Sequence, residues 1–424
     1  MEYTLEYEAA QKLAVTAAKV LQPRSPIRTR ELFAGRWNEL TTVANSVAEV
    51  GLHALIYGER GVGKTSLSNV IAPTIWAYDD TDPPAPNPKL RLVIKAVTSS
   101  GDDFAALWEK LFKEVLWRDD KPTSGFLPGP KPAVNILQAY GLQQQSLTVD
   151  TVRRVLTSLP EGVFIIDEFD RAAPETSREF TDLIKALSDL AVDVTIVLVG
   201  VADTVDKLIA DHASIGRQLV QVHLPRMLAD ELRGILTYAE KSLPVKFNDE
   251  ASDLIIKTSQ GLPHYTHLIG LESIRHAALK RYSSQITRMD VFEALKTAVK
   301  HAEQSTAAKY AKATHSAQKD ALYKQIILAC AITATKSMDS MGYFNPAALG
   351  PTLGKILNRA VTVATFNNHL SDFMHAKRGS VLEREGQARS YRYRFQDPLL
   401  VPYVFMHSLA TGLITDKELL KMLV

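Results

Sequence analysis

The sequence predicts an α/β fold, in which a parallel sheet flanked by helices is followed by a helical region and a C-terminal unit of helices and a hairpin. Short runs of Val, Ile and Leu, bounded by turn residues, alternate with helical patterns between Phe33 and Gly200. Such apolar runs are typical of strands buried on both faces, and their alternation with helices indicates βαβ units. Beyond Pro225 the strand signals stop and helical spacing continues.

Composition places the chain among ordinary globular proteins. It has 424 residues, of which 46% are hydrophobic and 23% charged, and at roughly 100–200 residues per domain this length predicts two to four domains. A net charge of +2 argues against a protein wholly dedicated to coating nucleic acid and leaves room for a local basic surface. Cys330 is the only cysteine, which excludes an intrachain disulfide and fits a reducing compartment. The N-terminus lacks an apolar signal segment and no apolar run reaches about 18 residues, so we expect a cytoplasmic protein that does not enter a membrane.

The first elements can be placed in order. Residues 1–29 are predicted to form a helix and a linker, because apolar residues recur at helical spacing over 3–21 and Pro23 and Pro26 then end the pattern. Residues 30–226 are predicted to form the α/β core. Its clearest predicted strands are 54–58, 90–97, 162–167 and 194–200. Two stretches rich in Pro, Gly and Asp are predicted to be surface loops, at 79–89 and 119–132.

The C-terminal half is predicted to hold two further domains. Residues 227–304 show three or four helical segments, broken at Leu243–Pro244 and at 261–263. Residues 305–424 begin a different pattern, which is three helices followed by a hairpin. This is the layout of a winged helix, with helices over 320–333, 346–358 and 363–376 and strands over 380–385 and 390–395.

A phosphate-binding loop follows the first strand. Residues 58–65 match G-x-x-x-x-G-K-[ST]. A predicted strand precedes them and a helical pattern follows, which is the context that this motif requires. Glycines let successive N–H groups point inward, and the helix N-terminus adds partial positive charge. Lys64 is expected to reach the β- and γ-phosphates and Thr65 to bind Mg²⁺. The predicted nucleotide-binding residues of this loop are Gly58, Glu59, Arg60, Gly61, Val62, Gly63, Lys64, Thr65 and Ser66.

Two adjacent carboxylates end a buried strand about one hundred residues downstream. Asp167 and Glu168 follow the apolar run that starts at Gly162. Phosphoryl transfer needs an acidic group in the Mg²⁺ shell, and hydrolysis needs a base that orients water. Asp167 is predicted to bind Mg²⁺, and Glu168 is predicted to orient the attacking water. Together with the loop, this pair predicts an enzyme that binds ATP and Mg²⁺.

With these motifs the chain resembles AAA+ and STAND ATPases, in the branch of the origin-recognition and initiator-loader proteins. The resemblance covers about residues 30–405. LFAGRWNEL (32–40) is similar to the segment before the first helix of these ATPases and implies that Gly35 and Arg36 lie near the adenine. IVLVGVAD (196–203) is similar to the sensor-1 strand, which implies a catalytic position near the γ-phosphate for Asp203, where the family more often has Asn, Ser or Thr.

Two further segments carry the resemblance. HASIGRQLVQVHLP (212–225) is similar to the arginine-finger box, which implies that Arg217 acts in a neighbouring subunit; the alternative is that it forms a salt bridge in its own domain. GLPHYTHLIG (261–270) is similar to the Gly-x-Pro opening of the STAND lid helix, which implies that Pro263 packs against the nucleotide. His264 stands where AAA+ proteins carry a sensor-2 arginine. We interpret His264 and His267 as ordinary helix residues rather than metal ligands.

Basic residues concentrate on the hairpin. Between 377 and 394 they outnumber the acidic ones by six to two, and alternation in 390–395 predicts arginines on one face and aromatics on the other. Such a wing suits a phosphate backbone, while winged helices of such ATPases also serve as protein contacts or intramolecular locks. The candidate contacts to duplex DNA are Lys377, Arg378, Arg384, Arg389, Arg392 and Arg394.

Two functions therefore remain open. The first is a Mg²⁺-dependent, self-associating ATPase switch that controls an unidentified effector or regulator protein, as in signalling or antiphage defence, with slow hydrolysis. The second is a DNA-binding ATPase regulator of the initiator, loader or transposition type. A helicase is a weaker alternative, because no further helicase motif supports it.

Overall fold

A computed structural model describes residues 4–78, 92–117, 134–202, 205–209, 212–318, 320–339, 341–387 and 390–423. Its helices are α1 Tyr7–Val20, α2 Trp37–Ala48, α3 Lys64–Tyr78, α4 Phe104–Glu114, α5 Ile136–Tyr140, α6 Val149–Ser158, α7 Thr176–Asp189, α8 Ala229–Ser242, α9 Asp249–Ser259, α10 Pro263–Arg281, α11 Arg288–His301, α12 Gln304–Thr314, α13 Tyr323–Ser337, α14 Leu349–Leu357, α15 Val363–Phe373, α16 Leu400–Ala410 and α17 Asp416–Leu423. Its strands are β1 His53–Gly58, β2 Leu92–Val97, β3 Leu116–Trp117, β4 Val134–Asn135, β5 Gly162–Asp167, β6 Val194–Val201, β7 Leu219–His223, β8 Lys246–Phe247, β9 Gln285–Ile286, β10 Leu382–Glu385 and β11 Arg392–Phe395.

The chain divides into two compact units, and the smaller part of the sequence, residues 27–59 and 64–225, holds the parallel sheet. Its strand order among the described residues is β2-β5-β6-β1-β7, and every pairing is parallel. The crossovers that link parallel strands carry the helices to the faces of the sheet. The predicted P-loop parallel-sheet core is thereby confirmed, and the four predicted strands coincide with β1, β2, β5 and β6.

Strand β7 was not predicted as a strand. Its sequence, Leu219–His223, mixes apolar and polar residues, and only Leu219 and Val222 are buried. It lies at the edge of the sheet, pairing only with β1 among the described strands. With two of its five residues buried, β7 lacks the continuous apolar run by which the other strands can be recognised.

Aromatic side chains form the centre of the core on one face of this sheet. Trp108 of α4 is fully buried, with its ring centroid 5.5 Å from that of Phe164 on β5 and 6.1 Å from that of Phe180 on α7. Helix α4 is oriented by its N-cap, because the Asp103 carboxylate accepts the Ala106 N–H at 2.8 Å. These contacts fix β5, and with it the acidic residues at its carboxyl end.

The other unit comprises residues 1–26, 60–63 and 226–424. Helices α8, α9, α10 and α11 occupy the described residues from 229 to 301, as the periodicity predicted, and α1 packs on α10. The buried carboxylate of Asp290 joins α10 to α11 by accepting hydrogen bonds from Arg281, His276 and Thr287. Burial alone would raise the pKa of Asp290, but these hydrogen bonds outweigh it and hold that pKa below its usual range.

The C-terminal part of this unit has the predicted order of elements. Helices α13, α14 and α15 precede the hairpin, in which β10 and β11 pair antiparallel with Leu382 opposite Phe395. Burial alternates along β11, with Tyr393 and Phe395 inward and Arg392 exposed. The order of helices and hairpin is confirmed; the winged-helix assignment and the bounds of the four predicted domains stay predictions.

Candidate functional site

The loop between β1 and α3 begins at a position that only glycine can occupy. Gly58 has φ +151°, and a Cβ there would lie 2.3 Å from the carbonyl oxygen of Leu224. That carbonyl belongs to the segment in which the Leu224 N–H donates to Tyr57 O at 2.8 Å. The first motif glycine therefore allows β1 and the chain after β7 to approach each other closely.

Lys64 is the first residue of α3 and is buried. Its ammonium donates to the carbonyl oxygens of Gly58 at 2.9 Å and Glu59 at 2.7 Å. These two hydrogen bonds place the ammonium at the start of the loop. Thr65 follows Lys64 on α3 and is half-buried, and its hydroxyl oxygen is of the ligand type that Mg²⁺ takes.

The structure brings the P-loop helix and the acidic pair together. Ser68 on α3 lies with its Oγ 3.4 Å from Oδ2 of Asp167 at the end of β5. Oδ1 of Asp167 accepts the Glu168 N–H at 2.9 Å. A buried carboxylate beside the helix that starts with Lys64 and Thr65 is the donor set that a Mg²⁺–nucleotide site requires. Thr65 and Asp167 therefore fit Mg²⁺, which would supply Lewis-acid charge at the phosphates.

Glu168 has a different environment from its neighbour. Its backbone is left-handed, with φ +55°, and this turns the chain out of β5 into a short 3₁₀ turn. Its carboxylate forms an ion pair with Arg171, and both side chains are about half-exposed. A half-exposed carboxylate next to the buried Asp167 is chemically suited to orient water.

Sequence reasoning missed three residues at this edge of the sheet. Lys95 of β2 pairs with Asp167 Oδ2 at 2.8 Å. Thr98 donates its N–H to Asp167 O, and its buried hydroxyl has no hydrogen-bond partner among the described residues. Asp170 accepts the Val201 N–H at 2.7 Å, which ties the turn after β5 to the end of β6. A lysine in the middle of an apolar strand was the one signal available, because a charge there must find a partner.

The middle of the phosphate loop, residues 60–63, belongs to the unit that contains α8–α17. Arg60 pairs with Glu303 at 2.6 Å and lies 3.9 Å from Asp397. A Cβ on Gly61, where φ is +88°, would meet Leu399 Cδ2 at 2.7 Å. One on Gly63 would lie 3.9 Å from Pro263 Cγ. Residues 60–63 therefore pack against the start of α10 and the segment that follows the hairpin.

The model of the Novel STAND NTPase 1 family matches residues 26–341. The chain belongs to this STAND NTPase family. Membership confirms the predicted STAND-type P-loop ATPase, and the matched range includes both the phosphate loop and the acidic pair. No curated protein matches the sequence.

The chain is similar to several solved structures at low sequence identity. A Walker-type ATPase of Pyrococcus abyssi is 16% identical, with a TM-score of 0.48 over 90% of this chain and 99% of that one. The ORC2 protein of Aeropyrum pernix is 13% identical, with a TM-score of 0.48 over 93% and 98%. Cdc6p of Pyrobaculum aerophilum is 14% identical, with a TM-score of 0.45 over 93% and 98%.

The structure also describes further predicted site residues of this STAND NTPase, among them Arg36 and Arg217. The Arg36 guanidinium is buried and donates hydrogen bonds to Glu39 and to the carbonyl of Pro225. The adenine role of Gly35 and Arg36 stays a prediction. Arg217 is exposed and makes no ion pair with the described residues, which leaves its role in a neighbouring subunit a prediction. Asp203 lies outside the described residues.

Helix α10 opens as predicted, with Pro263 at its first turn. The ring of His264 donates from Nδ1 to Pro23 O at 2.6 Å, and Nδ1 of His267 accepts the Gln22 N–H at 3.3 Å. Burial lowers the pKa of both imidazoles, to about 4 for His267. Neutral at pH 7, they hold the segment that follows α1.

The arginines of the hairpin are engaged within the protein. Arg392 pairs with Asp339 and Glu385, and Arg394 pairs with Glu383. Arg378 and Arg384 lie over tyrosine rings, at 3.8 and 4.0 Å from the ring centroids. Lys377 is exposed, and Arg389 lies outside the described residues. Within the described ranges, no helix has the length and hydrophobicity needed to cross a bilayer.

Proposed function

We propose that this STAND NTPase is a Mg²⁺-dependent ATP-binding switch that hydrolyses ATP slowly, self-associates and controls a partner protein. The observation that carries the proposal is the junction between Ser68 and Asp167, which sets the phosphate loop beside the acidic end of β5. Nucleotide would be held by the loop, Mg²⁺ by Thr65 and Asp167, and water by Glu168.

Each residue has a distinct task in this scheme. Lys64 would move from the carbonyls of Gly58 and Glu59 to the phosphates, exchanging neutral acceptors for anionic ones. The N-terminus of α3 favours the same anion. Arg217, exposed and without an ion pair to the described residues, would act on the site of a second copy, so that hydrolysis depends on association.

Nucleotide binding is tested by titrating a fluorescent ATP analogue with and without Mg²⁺. Lys64→Ala is expected to weaken binding at least about tenfold, because a charge-assisted contact is lost. Lys110→Ala is the matched control, since Lys110 pairs with Asp102 instead of serving the loop. Equal affinity of wild type and Lys64→Ala would contradict the proposal.

Control of a partner rather than DNA is favoured by the hairpin. Four of its basic side chains are occupied by carboxylates or aromatic rings, which lowers the charge offered to a phosphate backbone. The test is the steady-state ATPase rate over a protein concentration series, with and without duplex DNA at about 0.1 M salt. A rate per subunit that rises with concentration supports a self-associating switch. Stimulation by DNA that fades as salt rises would support the DNA-binding regulator instead.

A further inference from the structure

Strand β2 carries a lysine where its sequence is otherwise apolar. Lys95 lies in the middle of Leu92–Val97, and its side chain is 23% exposed. An ammonium group taken out of water must be paired and hydrogen-bonded, or it loses its hydration without compensation. Its partners therefore decide what the residue does.

All three partners of Lys95 belong to the candidate nucleotide site. The ammonium donates to Ser68 Oγ at 2.6 Å and to Asn69 Oδ1 at 2.7 Å, both on α3. It lies 2.8 Å from Oδ2 of Asp167. An ammonium has three N–H donors, so these contacts use its full capacity. Its position is fixed by the phosphate-loop helix and the acidic strand together.

Asp167 is charge-compensated by the protein itself. Its side chain is 3% exposed, and Lys95 is the cation paired with it among the described residues. Its other oxygen is held by the Glu168 N–H at 2.9 Å. A buried carboxylate that loses its cation is strongly destabilising unless another cation arrives.

We propose that Lys95 is a built-in counter-ion that competes with Mg²⁺ for Asp167. Without Mg²⁺–nucleotide the ammonium neutralises the carboxylate, and when Mg²⁺ arrives the two cations repel, so Lys95 keeps only Ser68 and Asn69. The lysine thereby raises the Mg²⁺ concentration that the site requires and stabilises the metal-free protein. It acts through Asp167 and is a positioning residue. This inference rests on the proposed function only for the step with nucleotide.

Lys95→Met tests the competition, because methionine keeps the length of the side chain without its charge. Lys110→Met is the matched control, since that lysine forms its ion pair with Asp102 and not with Asp167. The readouts are Tm in EDTA, Tm in a MgCl₂ series without nucleotide, and Mn²⁺ binding by electron paramagnetic resonance. Lys95→Met is expected to lower Tm in EDTA, to gain more Tm from Mg²⁺ than wild type, and to bind Mn²⁺ about tenfold more tightly.

A structural role alone would lower Tm in EDTA without changing the response to metal, and that result would overturn the proposal. So would weaker Mn²⁺ binding, which would make Lys95 a helper of the metal. If Lys95→Met folds poorly, Asp167→Asn supplies a second test. An amide needs no counter-ion, so adding Lys95→Met to Asp167→Asn should cost less Tm than adding it to wild type. An equal cost in both backgrounds contradicts the pairing.

These readouts separate the two proposals. A wild type whose Tm is unaffected by Mg²⁺ and ATP together would contradict the proposed function. The metal response of nucleotide-free Lys95→Met would still decide whether Lys95 competes for Asp167.

Discussion

Glu168→Gln is expected to abolish most hydrolysis while leaving the fold intact. The carboxylate is about half-exposed, and its described partner, Arg171, is exposed as well. Exposed ion pairs contribute about 0–1 kcal/mol, so the free energy of unfolding should change by less than about 1 kcal/mol. Glutamine, like glutamate, is unbranched at Cβ, so the substitution adds no new strain to the left-handed backbone at φ +55°.

The effect on chemistry should be much larger than the effect on stability. A positioned general base contributes typically about 10²–10⁴-fold, which at 25 °C corresponds to about 3–5 kcal/mol of activation free energy. ATP binding should persist, because Lys64 and the loop backbone are unchanged, so the variant should accumulate in the ATP-bound state.

Three measurements check this prediction: the steady-state ATPase rate, the affinity for a fluorescent ATP analogue, and urea unfolding. Arg171→Gln is the control, since it breaks the same ion pair without removing the carboxylate. The reasoning is refuted if Glu168→Gln turns over at the wild-type rate. It is also refuted if the two variants lose activity equally, because the ion pair rather than the base would then matter.

Three further predictions concern Asp290, Tyr265 and Arg217. Asp290→Asn should lower the free energy of unfolding by about 3 kcal/mol at pH 7. Because the folded-state pKa of Asp290 is depressed, this stabilisation is present above the unfolded-state pKa of about 4 and is lost as pH falls through the folded-state pKa; urea unfolding at pH 7 and pH 3 should therefore show a smaller difference at pH 3. Tyr265→Phe should cost about 1–3 kcal/mol in the same assay, since the hydroxyl donates to Leu399 O at 2.7 Å and the buried carbonyl would lose its donor. Arg217→Ala should leave stability within about 0.5 kcal/mol but reduce the ATPase rate at high protein concentration by at least about tenfold; an unchanged rate would remove the finger role.

Much of the fold was predictable because it is encoded locally. The central strands β1, β5 and β6 are continuous apolar runs, and each was placed within about one residue. The turn of the phosphate loop follows from its glycines, as the close approach at Gly58 illustrates. The edge strand β7 was missed, since half-exposed residues give no continuous run.

The candidate site was predictable only in part. Lys64, Thr65 and Asp167 could be named from the motifs, but the occupation of Asp167 by Lys95 could not. Lys95 and Asp167 are remote in sequence, and their side chains meet because β2 and β5 are neighbours in the sheet, with Val97 opposite Asp167. Counting charges along the hairpin also could not predict that its arginines pair with Asp339 and Glu383.

The sequence by itself determined that this chain holds a phosphate loop followed by a pair of carboxylates, because motif and strand signals depend only on near neighbours along the chain. The tertiary structure decided strand order, the contacts of Arg60 with Glu303 and Asp397, and the cation that neutralises Asp167. These features depend on which distant segments become adjacent when apolar surface is buried, and a buried charge takes its partner from whatever that packing brings within reach.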